Sequence, residues 1–172
     1  AINNVTTVAV DITNVTSITS SSFADLGILS TAIENNEFLD DSGTTTFNST
    51  IAVSDTTIDA TTLASTINSY DSINNSGTTN MTLASGATIN VDAGEITHML
   101  LDETQNRLEI SDQNIVVTGN ISVDEANLLS ATTSGIVTAS ITTTESVSEL
   151  MTLTETTNAY TIVIPAADAA GI

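Results

Sequence analysis

A short pattern that recurs along the chain constrains the fold more than any other feature of the sequence. Each copy has Ile or Val, then Thr, Asp or Pro, then three further residues and usually an apolar one; successive copies lie 40, 33, 32 and 41 residues apart. Self-similarity at such periods is typical of repeat architectures. The pattern predicts one repeat-containing domain over residues 1–172, with repeats that begin near Ile18, Ile58, Val91, Val123 and Ile164.

Each copy of the pattern predicts a strand end that turns into a short helix. Its second residue can cap the helix, because the side-chain oxygen of Thr or Asp accepts from backbone N–H groups two or three residues further on. Glu95 follows Asp92 by three residues, which is the spacing of a capping box. The residues predicted to cap are Thr19, Asp59, Asp92 and Asp124.

The segments between these helices are rich in β-branched residues. The chain contains 33 Thr, 20 Ser and 16 Asn, while aromatic residues make up only 3%. β-Branched side chains are stiff and fit a pleated, half-buried surface better than a helix. The sequence therefore predicts a mainly-β protein, a solenoid-like repeat stack with short capped helices between strands. A two-sheet β-sandwich is the alternative.

The charge balance excludes several classes of partner. Against 21 Asp and Glu stand Arg107 and no Lys, so the formal net charge is −20. Nucleic acid and anionic lipid both require cationic groups, and neither is an expected partner. No apolar run reaches the length needed to cross a bilayer, so no membrane insertion is expected. Copies of the chain repel one another unless salt or bound cations intervene.

The chain offers few groups for catalysis. His98 is its one histidine, and helical spacing places Glu95 and Asp102 on the same face. These three residues form either an acid–base or metal cluster, or a capping glutamate beside a solvated helix face, which is the favoured interpretation. There is no G-x-S-x-G motif, no glycine-rich phosphate loop and no cysteine. The sequence predicts that the protein is not an enzyme.

One acidic segment is a candidate calcium site. The run N-N-E-F-L-D-D-S-G at 35–43 contains Glu37, Asp40 and Asp41. Carboxylate oxygens, completed by Asn36 and backbone carbonyls, are the hard ligands that Ca²⁺ prefers. The order differs from that of an EF-hand loop, and an acidic turn without metal is the alternative. No other cofactor is expected.

One segment resembles a known class of repeats. The run V-D-E-A-N-L-L-S-A-T-T-S-G-I-V-T-A-S-I-T-T at 123–143 is similar to Thr/Ser/Asp-rich repeats of giant extracellular surface proteins of cyanobacteria and other marine bacteria. Those repeats combine a short helix, a T-S-G-like turn and a Thr/Val/Ala-rich strand. I-P-A-A-D-A at 164–169 has the same character. The resemblance implies an extracellular or cell-surface location and a solenoid-like role, and it supplies no catalytic residues.

Neither end of the chain carries the polar cap that usually closes a repeat stack. Residues 162–172 are apolar and begin a further copy of the pattern, while residues 1–15 open directly in a strand-like segment. The expected neighbours are copies of the chain itself or further repeats of a longer chain. The predicted function is a non-enzymatic structural component of an extracellular fibre, sheath or large surface protein that assembles head-to-tail with like units. The alternative is an adhesin-type module that binds glycan or another surface ligand.

Overall fold

The computed structural model describes residues 10–11, 15, 17–35, 37–39, 50–73, 80–142, 145–154 and 157–162. Within these ranges the fold is mixed α/β, with one four-stranded and one five-stranded sheet, both entirely parallel, and five α-helices. The predicted mainly-β solenoid-like stack is therefore wrong, and so is the two-sheet sandwich. Parallel strands need a crossover between them, and helices supply it here. The Thr-rich composition led to an underestimate of those helices.

The elements follow one another in a regular order. The strands are β1 (Val10–Asp11), β2 (Ser17–Ser21), β3 (Phe38–Leu39), β4 (Thr50–Val53), β5 (Thr57–Asp59), β6 (Asn80–Thr82), β7 (Thr88–Asp92), β8 (Leu108–Glu109), β9 (Asn114–Ile121), β10 (Val137–Ile141) and β11 (Ala159–Ile162). The helices are α1 (Phe23–Glu34), α2 (Ala60–Ile73), α3 (Ile96–Thr104), α4 (Val123–Thr132) and α5 (Val147–Leu150), and a 3₁₀ turn at Ala93–Glu95 precedes α3. β1 and β3 form a separate parallel pair.

The chain divides into two compact units, and the first contains the four-stranded sheet. This unit comprises Ala1–Asp55, Thr61–Ala84 and His98–Glu109. Its strand order is β2-β4-β6-β8, with Ile18, Ile51, Met81 and Leu108 in register. The fully buried Tyr70 of α2 donates its hydroxyl to the carbonyl of Leu26 in α1 at 3.0 Å, and burial raises the pKa of that hydroxyl.

The second unit contains the five-stranded sheet. It comprises Thr56–Ala60, Ser85–Thr97 and Ile110–Ile172, and its strand order is β11-β10-β9-β7-β5. Identical or similar side chains stack across the strands, as in the buried column of Ile58, Ile89, Ile115 and Val137. Helix α4 buries Val123, Ala126 and Leu129 and packs on β9 and β10. Burial of such columns is the main favourable term that holds the strands in register.

The structure confirms one of the predicted helix caps and corrects two others. The side chain of Asp92 accepts from Gly94 N–H at 2.9 Å, directly before the 3₁₀ turn. Asp59 ends β5 immediately before α2, and its capping role stays a prediction. Thr19 lies within β2, and α1 begins four residues later with Ser22 Oγ accepting from Asp25 N–H. Asp124 lies inside α4, whose N-cap is instead a serine.

That serine, Ser122, forms a full capping box with Glu125. Its hydroxyl accepts from Glu125 N–H at 3.2 Å, and the Glu125 carboxylate accepts from Ser122 N–H at 2.8 Å. We expect Ser122→Ala to lower the free energy of unfolding by about 1 kcal/mol, because the hydroxyl satisfies an N–H that the helix leaves unpaired. Asp124→Ala, measured in the same urea titrations, is expected to cost less than half as much. Equal losses would contradict this assignment of the cap.

No helix in the described ranges combines the length and the apolar character needed to cross a membrane.

Candidate functional site

The two outermost strands of the four-stranded sheet differ in burial and charge. In the column that crosses this sheet, Ile51 and Met81 are fully buried and Leu108 of β8 is 2% exposed, whereas Ile18 of β2 is only partly buried. Strand β8 begins directly after Arg107 and ends in Glu109. Strand β2, with the sequence S-I-T-S-S, has no charged residue. Within the described residues β2 pairs only with β4, and we call its other side the β2 edge.

The five-stranded sheet repeats this asymmetry. Ile121 and Ile141 are each 1% exposed, but Ile162 of β11, next in the same column, is 42% exposed. At the other side of the sheet Ile58 of β5 is 2% exposed, beside the carboxylate-bearing Asp59. Residues 157–162 carry no charge. In the described part of the chain β11 pairs only with β10, and we call its other side the β11 edge.

Side-chain hydrogen bonds hold β11 in place. Asn158 accepts from Val137 N–H at 2.8 Å and donates to Ser130 Oγ and to the hydroxyl of Tyr160, each at 2.9 Å. That hydroxyl donates in turn to the carbonyl of Ala126 at 3.3 Å. These bonds tie β11 to β10 and to α4. Strand β11 is therefore held in a fixed position against these two elements.

The segment before β11 is also fixed but poorly covered. Helix α5 begins with a capping box between Ser146 and Glu149, whose hydrogen bonds lower the pKa of the Glu149 carboxyl. Asn127 of α4 donates to Thr152 O and accepts from Thr154 N–H, each at 3.0 Å. Even so, α5 has no buried residue, and the nearby Met151 is 82% exposed. Solvent-exposed apolar side chains therefore lie close to β11 in the sequence.

An unpaired strand edge is a template for another strand. It presents a row of backbone N–H and C=O groups, and natural proteins usually protect such edges with charged residues, proline or a covering element. The β2 and β11 edges carry neither charge nor proline. The sequence alone does not single these two strands out, because β4, β6, β9 and β10 also contain no charged residue.

The structure describes only one of the three predicted calcium ligands. Glu37 is partly buried and lines a shallow groove of about 410 Å³ along α1. Asp40 and Asp41 lie outside the described residues. Among the residues that are described, no group of three or more His, Asp or Glu side chains is arranged to hold a metal ion. The calcium site at Glu37, Asp40 and Asp41 stays a prediction.

A melting experiment at constant ionic strength tests that prediction. A site with a Kd of about 10 µM would add roughly 2.7 kcal/mol of stability at millimolar Ca²⁺, because only the folded chain binds. The Asp40→Asn, Asp41→Asn double variant should lose that gain, whereas the Asp59→Asn, Asp92→Asn double variant, which has the same net charge, should keep it. A parent chain whose melting temperature is the same in Ca²⁺ and in Na⁺ at matched ionic strength would rule out the site.

Of the three residues predicted to lie together around His98, Asp102 forms an ion pair with Arg107. His98 is exposed, whereas Asp102 is 7% exposed and accepts from Arg107 Nη1 at 2.8 Å. Arg107 Nη2 also donates to Asn68 Oδ1 of α2 at 2.8 Å. The chain's one cationic side chain thus joins the C-terminal turn of α3 to α2. This pairing gives Asp102 a structural role, and the sequence had not indicated it.

No protein-family model matches the chain, and no curated protein or solved structure is significantly similar to it.

Proposed function

We propose that the chain is a non-enzymatic structural component of an extracellular fibre, sheath or large surface protein, and that it associates with copies of itself. One observation carries the proposal. The column of Ile121 and Ile141 is closed to solvent, yet its next member, Ile162, is 42% exposed on an ordered strand. A further strand would bury that side chain, and burial of an isoleucine contributes roughly 1.5–3 kcal/mol when complete.

Electrostatics restricts where two copies can meet. With a formal net charge of −20, copies repel over most surfaces at low ionic strength. The β2 and β11 edges carry no charge, so their approach brings no carboxylate of the pairing strands into contact. Association through neutral edges is therefore expected to rise with salt, which screens the remaining repulsion.

Two further features support a structural role outside the cell. The one histidine is exposed, and the nearby Asp102 is engaged by Arg107, so α3 offers no paired acid and base. Within the segment 123–143, which resembles repeats of giant surface proteins, residues 123–141 form α4, a turn and β10. Strong acidity is compatible with salty surroundings, where the Debye length is only a few ångströms.

Sedimentation velocity over a salt series tests the proposal. We expect species heavier than the 17.7 kDa monomer, and their fraction should rise between about 0.05 M and 0.5 M NaCl as the Debye length falls from roughly 14 Å to 4 Å. Potassium chloride at equal ionic strength should act alike, because the effect is screening. A single 17.7 kDa species at every salt concentration, with chain concentrations up to the millimolar range, would contradict self-association.

A further inference from the structure

We propose that Asn120 is an acceptor for an N-linked glycan. It begins the run Asn120, Ile121, Ser122, which has the N-x-S/T pattern that directs glycan transfer to an asparagine of a secreted chain. The chain has six such patterns, of which two, at Asn80 and Asn120, lie in the described residues. The inference rests on the proposed extracellular function, because this modification belongs to exported surface proteins. The other four patterns begin outside the described residues, at Asn4, Asn14, Asn48 and Asn74.

Asn120 lies where the regular pairing of β9 is interrupted. Three consecutive exposed residues, 118–120, break the alternation of buried and less buried side chains along this strand. Gly119 has a positive φ of 97°, and the register between β9 and β10 shifts just before Asn120 pairs with Ser140. An irregularity of this kind bends the strand and redirects its side chains. The exposed side chain of Asn120 therefore offers a place where a bulky, hydrated group meets solvent.

A glycan on Asn120 and the self-association proposed around Ile162 use opposite faces of the five-stranded sheet. Neighbouring residues of a strand point to opposite faces. Asn120 is in register with Ser140 of β10, which is in register with Thr161 of β11. The residue after each of these three belongs to the inward column that ends at Ile162. A glycan on Asn120 therefore leaves Ile162 accessible to a second copy.

The pattern that begins at Asn80 has a different environment. Asn80 is half-buried and begins β6, which pairs with β4 on one side and with β8 on the other. Its side-chain amide donates to the carbonyl oxygen of Asn106 at 3.1 Å. A sugar on that nitrogen would lie at this contact. Chains that are glycosylated at Asn80 are therefore expected to fold poorly, and Asn80 serves as the matched comparison for Asn120.

The transfer to Asn120 has to precede the folding of α4. In this step Nδ2 of Asn120 bonds to C1 of the sugar, the bond from C1 to the diphosphate of a lipid-linked donor breaks, and the amide loses one proton. The pattern also requires the hydroxyl of Ser122. In the folded chain that hydroxyl donates to the Glu125 carboxylate at 2.9 Å and accepts from Glu125 N–H at 3.2 Å. The transferase therefore acts on the unfolded segment, and the fold then decides which glycosylated chains persist.

Secretion of the 172-residue chain from a eukaryotic host tests the assignment. Peptide N-glycosidase in heavy-oxygen water converts each glycosylated asparagine of the folded fraction to labelled aspartate, which mass spectrometry of peptides locates. We expect the occupancy of Asn120 to exceed that of Asn80 about tenfold or more, because only Asn120 is exposed. Asn120→Gln should lose this glycan and, after deglycosylation, unfold at the same urea concentration as the parent. Ser122→Thr should keep the glycan and the cap, because threonine supplies the same hydroxyl.

Two results would overturn the assignment. One is an unmodified Asn120 in folded chains from cells that glycosylate a standard secreted protein, and the other is equal occupancy of Asn120 and Asn80. Sedimentation velocity keeps this inference separate from the proposed function. Asn120→Gln should associate with rising salt as the parent does, because the glycan and Ile162 lie on opposite faces. A parent that stays at 17.7 kDa contradicts self-association, whatever the occupancy of Asn120.

Discussion

Replacing Gly135 with alanine is expected to lower the free energy of unfolding by about 3 kcal/mol or more, since the new methyl group collides with backbone. A Cβ atom at this position would overlap the carbonyl oxygen of Gln113 and would lie 2.9 Å from Asn114 N. The same turn is fixed by Thr133, whose hydroxyl donates to Gln113 O at 2.6 Å and accepts from Gly135 N–H at 3.0 Å. Because Thr133 bonds both Gln113 and Gly135, the two backbone segments cannot separate without the loss of these hydrogen bonds.

Gly27 supplies the matched control for this substitution. It lies inside α1, and a Cβ atom there would meet nothing within 4 Å. Gly27→Ala is expected to raise stability by about 0.5–1 kcal/mol, because alanine loses less backbone entropy than glycine in a helix. Urea unfolding followed by circular dichroism measures both variants. A Gly135→Ala protein within 0.5 kcal/mol of the parent would show that the turn is not as tight as the structure indicates.

Removing the chain's one cationic side chain is expected to have the second large effect. Arg107→Met should lower the free energy of unfolding by about 3–5 kcal/mol, because it leaves the Asp102 carboxylate nearly buried without its guanidinium partner. The side chains of Arg107 and Asp102 are only 15% and 11% exposed, so solvent screens little of their interaction. The bond from Arg107 to Asn68 is lost in the same variant.

A double-mutant cycle separates the ion pair from general packing. We expect the loss of stability to come from the Asp102 carboxylate that is left without its cationic partner. In that case Asp102→Asn combined with Arg107→Met should be clearly more stable than Arg107→Met alone. Urea titrations of the parent, the two single variants and the double variant give the coupling energy. Additive losses, with a coupling energy near zero, would mean that the pair contributes no more than two independent side chains do.

The sequence predicted local features better than it predicted their arrangement. Asp92 was predicted correctly as a cap, because a capping side chain accepts from backbone N–H groups only two or three residues further on and needs no tertiary contacts. Asp124 was mistaken for a cap because Ser and Asp are both common N-cap residues. Only the residue at which α4 begins decides between Ser122 and Asp124. Likewise, Thr19 belongs to a strand because its neighbours pair with β4 through long-range bonds.

The fold class was missed for a related reason. The β-branched run at 81–91 has the composition of a single strand, yet it spans parts of β6 and β7, which belong to different sheets. The chain turns between these two strands at Gly86, which has a positive φ of 67°. The types of the neighbouring residues do not predict this turn. Parallel pairing also has no local signature, since it depends on partners some 20 to 30 residues apart in the chain. The exposure of Ile162 likewise depends on tertiary contacts that no local sequence pattern encodes.

Negative-stain electron microscopy of the chain at about 0.5 M NaCl tests the central claim most directly. Self-association that covers Ile162 predicts polymers of the parent and only isolated particles of Ile162→Glu under the same conditions. Isolated single-chain particles of the parent, at concentrations where the folded chain is verified by circular dichroism, would contradict the claim that this protein functions by assembling with its own copies.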